Sequence, residues 1–208
     1  SALSNALRYE IYAGSTRYRI QGNVVFDGKW HNSIMIFNDA AKTWTVYEDS
    51  VFVNTLTATA SIDSVTTPLI VGSYGGATSN DYSGLVSNIA IWNSDQTTEV
   101  SNIYNSGVPA TSYTNTPIAW YPMNVDNANW LGSDWQIADA VSAYPQSFDF
   151  DAYNSNPKKF IEVSRDAVNV TDAICVSAWV KTQKNTSQRQ TIISNYESTD
   201  IAQNGCWF

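Results

Sequence analysis

The chain is poor in charge, in sulfur and in imidazole. Only 14% of its 208 residues are Asp, Glu, Lys or Arg, and the 11 basic residues are outnumbered by 19 acidic ones. With a net charge of −8 and no cluster of Lys and Arg, it lacks the footprint that a phosphate backbone requires, so nucleic acid is not an expected partner. No apolar run approaches the ~18–20 residues of a membrane-spanning helix, and no membrane insertion is expected. Two cysteines, Cys175 and Cys206, are too few for a disulfide framework. One bridge between them and two small buried apolar residues are both open readings. The single histidine, His31, has no second imidazole to share a metal and no nucleophile pattern beside it, so a structural role at a strand edge is expected. An initiator Met and a signal peptide are also missing. The chain is therefore expected to be processed, or excised from something longer.

What is present is β-forming. Eight Trp, twelve Tyr and abundant Thr, Val and Ile suit pleated surfaces. Two-residue alternation runs through "LRYEIYA", "TRYRIQG", "HNSIMIF", "TWTVYED", "PLIVGSY", "LVSNIAIWN", "QSFDFDA", "KFIEVS", "AICVSAWVKT" and "QTIISNY". Turn signals separate them at Asp27-Gly28, Asn38-Asp39, Gly75-Gly76, Ser83-Gly84 and Asn154 to Pro157. Many short strands with even turn spacing predict an all-β sandwich or jelly roll. One short helix is expected near residues 97–105, where Val100, Ile103 and Tyr104 have helical spacing and Gly107 and Pro109 follow. Residues 110–118 read as a linker, and 124–142 as a long loop packed by its own aromatics.

The segments "FDGKWHNSIMIFN", "TWTVYEDSVFV", "PLIVGSY" and "DYSGLVSNIAIWN", with "EVSNIYNSG" after them, resemble the laminin-G/pentraxin-like group of the concanavalin A-like superfamily. The order is inverted. The pieces that open that family's pattern ("AWYPM", "FDF", "FIEVS", "SAWVKT", "TIISNY") come second here, at residues 119–196. The resemblance implies a two-sheet antiparallel jelly-roll sandwich whose second half is residues 1–109 and whose first half is 119–208. Together they form one circularly permuted domain, or they are halves completed by neighbouring repeats or chains. The end "NGCWF" then reads as the front of a strand continued by Ser1-Ala2-Leu3, and self-association through strand complementation between termini is an expected route to assembly.

Catalysis is not expected. Laminarin-degrading relatives on this fold carry carboxylates at alternating positions of one strand, and no such run exists here; Glu10, Glu48, Asp149 and Glu162 stand alone. Calcium is the expected cofactor, if any, with oxygen ligands from Asp149, Asp151 and Asn154 and from Asn80 and Asp81; plain Asx turns are the competing reading. For a sugar ligand, Tyr74, Tyr82, Trp130 and Trp135 are the loop aromatics suited to stacking. Trp30, Trp44, Trp92, Trp120 and Trp179 have the strand period of core packing. The expected function is non-catalytic recognition or adhesion on an extracellular or virion surface, with a glycan or other cell-surface ligand. The alternative is a structural repeat or subunit of an extracellular filament, capsid decoration or tail appendage.

Overall fold

Alternation in the first sixty residues builds one hairpin and one three-stranded meander. The hairpin joins β1 (Ala6–Ala13) to β2 (Thr16–Val25). Its two-residue turn, Gly14-Ser15, takes positive φ at both positions, the backbone that matches the twist of paired strands. Asp63 holds that turn, its two carboxylate oxygens accepting the Gly14 and Ser15 amides at 2.7 and 2.9 Å. The meander is β3 (His31–Asn38), β4 (Thr43–Glu48) and β5 (Val51–Thr57). Asp49-Ser50 turns β4 into β5, again with two positive φ values.

The computed structural model describes residues 6–25, 27–63, 69–72, 82–122, 135–138, 141–144, 147–151, 160–163, 173–182, 191–194 and 206–207. The remaining strands are β6 (Leu69–Val71), β7 (Ser83–Trp92), β8 (Ala119–Tyr121), β9 (Trp135–Ala138), β10 (Val141–Tyr144), β11 (Ser147–Asp151), β12 (Phe160–Val163), β13 (Ala173–Thr182), β14 (Ile193–Ser194) and β15 (Cys206–Trp207). A seven-stranded sheet runs β2-β1-β15-β14-β6-β12-β9. An eight-stranded sheet runs β10-β11-β7-β13-β3-β4-β5, with β8 pairing onto β7. The expectation of a jelly-roll sandwich is corrected here. The strands lie in separate open sheets with free ends, none of them closed or curled into a jelly roll. Alternation specifies which face of a strand is buried, but it says nothing about how the sheets close.

Strands from residues 1–109 and 119–208 interleave in both sheets, so neither half builds a sheet by itself. β13 sits between β3 and β7, and β15 between β1 and β14. In that last contact Trp207 pairs with Glu10 and Cys206 with Ile11, antiparallel. The C-terminal strand is thus a neighbour of the N-terminal strand, not its forward continuation. Cys175 is a free, buried thiol in β13, in the other sheet from β15, so no bridge joins it to Cys206.

One apolar cluster draws from both sheets, including Tyr9, Ile11 and Val71 from the first and Phe37, Trp44, Val86 and Val180 from the second. A second cluster lies on the other face of the eight-stranded sheet around Ile34, Ile36, Trp92 and Trp120. It is covered by the helix α1 (Val100–Tyr104), which buries Val100 and Ile103 and ends where Asn105 turns left-handed at φ 48°. The 110–118 stretch, expected as a linker, is tied onto this face. Tyr113 packs edge-on between Trp92 and Trp120, Asn115 O accepts the Trp92 indole N–H at 2.8 Å, and the Ile118 amide donates to Ile91 O.

Three local readings change. Ser83-Gly84, a turn signal in the sequence, lies inside β7; a Cβ on Gly84 would meet Lys181 O at 2.4 Å, so glycine is there for close strand approach. Residues 135–138, within the expected 124–142 loop, form β9 against β12. β5 escapes notice in the sequence because "VFVNTLT" lacks clean alternation, and its pairing with β4 shifts register between Val46 and Tyr47.

Candidate recognition surface

The Asp27-Gly28 turn and the Asp49-Ser50 turn meet beside the start of β3. Gly28 adopts φ 75° with open space around it, which lets the chain reverse before Trp30. His31 joins the two turns. Its Nδ1 lies 2.7 Å from Asp49 Oδ2 and its Nε2 lies 3.1 Å from Asp27 Oδ1. Two carboxylate acceptors on one imidazole are both satisfied when both ring nitrogens carry protons. Partial burial works against that charge, but the hydrogen bonds to Asp49 and Asp27 outweigh it and raise the His31 pKa. Asp27 is held down to about 2, first by the Lys29 amide it accepts at 2.8 Å and then by His31. The second oxygen of Asp49 accepts the Asn32 amide at 2.8 Å, and the Asp49 amide donates back to Asn32 O at 2.8 Å. The rim is therefore a fixed polar frame.

Exposed aromatic surface borders this frame. Trp30 is 36% exposed, while Trp44, Trp92, Trp120 and Trp179 are all buried. The expectation that Trp30 packs in the core with the others is thus corrected. It precedes the first residue of β3, where the strand period no longer dictates which way the side chain faces. Val51 and Phe52, just past the second turn, are 65% and 53% exposed, and the Phe52 ring meets Tyr47 edge-on at 5.9 Å.

The residues expected from the sequence do not assemble at this rim. Tyr82 is buried, its hydroxyl 3.3 Å from Thr182 Oγ1 and 3.5 Å from Leu85 O. Its ring belongs to the core between the sheets and offers no face to a sugar. Trp135 lies on β9, opposite Val163. Asp149 and Asp151 lie on β11, opposite Leu85 and Ser83 of β7. Tyr74, Trp130, Asn80, Asp81 and Asn154 fall outside the described residues. Among the described residues, no group of three or more His, Cys, Asp and Glu side chains could hold a metal ion. The same residues contain no helix long and apolar enough to cross a membrane.

The positions where the chain departs from the laminin-G-like pattern have structural work instead. Asp49-Ser50 forms the positive-φ turn of the rim, and Asn88, in β7, is buried and hydrogen-bonded. What the sequence reading passed over was Trp30 itself, and the available signal was the Asp-Gly turn just before it. No family model matches the chain, and no curated protein matches it in sequence.

Proposed function

We propose that the chain is a non-catalytic recognition module of an extracellular or virion-surface protein, and that it takes carbohydrate at the rim around Trp30. The observation that supports this is the pairing of a half-exposed indole with rigid carboxylate acceptors at Asp27 and Asp49. A sugar ring presents a C–H face to an aromatic ring and hydroxyl donors at its edge, and each carboxylate retains lone pairs beyond those His31 uses. A frame fixed before the ligand arrives reduces the ordering cost of binding.

A glycan array with the intact chain and with Trp30→Ala tests the reading. Binding that disappears in the variant, with an unchanged melting curve, supports it; an array with no signal for either protein rejects it. Repeating the array with chelator tests the calcium proposal, in which Asp149, Asp151, Asn154, Asn80 and Asp81 supply oxygens. Hydrolysis of a β-glucan would reject the non-catalytic reading. A second reading, a structural subunit without a small-molecule ligand, is favoured by the open, uncharged edge at β5.

A further inference from the structure

β5 ends its sheet, and among the described residues β4 is the strand that pairs with it. A terminal strand offers a row of backbone N–H and C=O groups whose natural complement is another extended backbone. Thr55 shows the open side directly. Its amide donates to the side-chain oxygen of its own neighbour, Asn54 Oδ1, at 2.9 Å, and its Oγ1 turns back to Trp44 O at 3.2 Å.

Proteins usually shield such an edge with Lys, Glu or Pro. From Val51 to Ile62 there is no charged residue and no proline. The neighbouring free edge differs, since β2 carries the exposed Arg17 and Arg19. Val51, Phe52, Asn54, Thr55 and Thr57 are all exposed.

Charge identifies the occupant. Each copy carries −8, so two copies repel over most of their surfaces and meet at least cost where both are uncharged. β5 laid antiparallel on β5 of another copy satisfies that condition. It also closes on itself as a two-fold contact, each strand supplying the other's missing partners. We propose that the β5 edge is a strand-addition surface and that its occupant is the β5 edge of a second copy, which continues the eight-stranded sheet across the two-fold axis. This holds whether or not the Trp30 rim takes a sugar.

Sedimentation velocity and amide hydrogen exchange over a concentration series spanning about three decades test the proposal. The expected result is a concentration-dependent dimer, with exchange over 51–57 slowing as it forms. Added salt strengthens it, because repulsion between the acidic bodies is screened. Phe52→Lys and Asn54→Lys, both at exposed positions, each weaken association about tenfold or more with unchanged melting curves. A monomer throughout overturns the proposal, as does a dimer whose 51–57 exchange is unaltered or one that survives both lysine variants. Protection of 51–57 by an added foreign strand peptide, with the chain itself monomeric, would assign the edge to another protein and likewise overturn self-pairing.

Discussion

The carboxylate of Glu48 lies where a side chain on Gly22 would have to be: a Cβ built on Gly22 would come within 2.1 Å of Glu48 Oε1. Gly22 is on β2 and Glu48 on β4, so the contact joins the two sheets. Tyr9 donates its hydroxyl to Glu48 Oε1 at 2.9 Å and sits 2.5 Å from Ser33 Oγ, while the Asn23 amide donates to Glu48 Oε2 at 2.7 Å. Burial, with the Glu48 charge beside it, holds the Tyr9 hydroxyl well above its ordinary pKa. A buried carboxylate is tolerable here because neighbouring donors replace its water.

Gly22→Ala is expected to displace that carboxylate and cost about 2–4 kcal/mol, measured by urea denaturation. Tyr9→Phe keeps the ring and removes the hydroxyl, at an expected cost of about 1–3 kcal/mol. If Gly22→Ala were neutral, the packing of Glu48 over β2 would be disproved.

The clamp on His31 predicts a defined pH window. A histidine whose folded pKa is raised contributes stability in full below its unfolded value of 6.5, and that contribution is lost as pH rises through the folded value. Asp27 has the opposite sign: its contribution is complete above 3.8 and is lost as pH falls toward about 2. The difference in melting temperature between the wild type and His31→Gln should therefore be largest between those unfolded values and shrink on either side. A difference that grew above neutral pH would contradict the assignment.

Asn88 illustrates how a polar residue in the middle of a strand can be required twice. Two residues of β7 oppose one of β13 at this point, and Asn88 takes φ 49°. Its side chain accepts the Trp120 indole N–H at 2.6 Å and donates to Tyr113 OH at 3.0 Å and Ala110 O at 3.3 Å. Asn88→Ala should cost about 2–4 kcal/mol, from both the lost partners and the left-handed backbone. Asn88→Gly relieves the backbone but not the hydrogen bonds, so it should cost about 1 kcal/mol less. Equal costs would show that backbone strain plays no part.

Two tryptophans that look alike in the sequence should behave in opposite ways. Trp44 is fully buried, and Trp44→Ala is expected to cost about 3–5 kcal/mol by chemical denaturation. Trp30→Ala should stay within about 0.5 kcal/mol of wild type, because its ring is outside the core. A large loss at Trp30 would mean that the ring is packing and not available to a ligand.

The strands that were legible from residues alone are those with one wet face and one dry one. "TWTVYE" alternates half-buried and buried positions along β4, and "HNSIMIFN" stands at β3. β5 and β9 were not legible, since neither shows a dominant face over enough residues. The rim was legible only in part. Asp-Gly marks the turn, but the meeting of Asp27 with Asp49 across His31 depends on β4 returning beside β3. The jelly roll was misread because local period constrains faces and not closure.

By itself, the sequence determined that this chain is β-rich, acidic and short of the chemistry for nucleic acid binding, because composition and two-residue alternation act locally, residue by residue. Tertiary structure alone decided that strands of the two halves interleave, that the sheets end in open edges, and that Trp30 faces out while Tyr82 is enclosed. Each of those outcomes depends on which distant backbone arrives alongside, and no pairing across more than a hundred residues is encoded in the period of either partner.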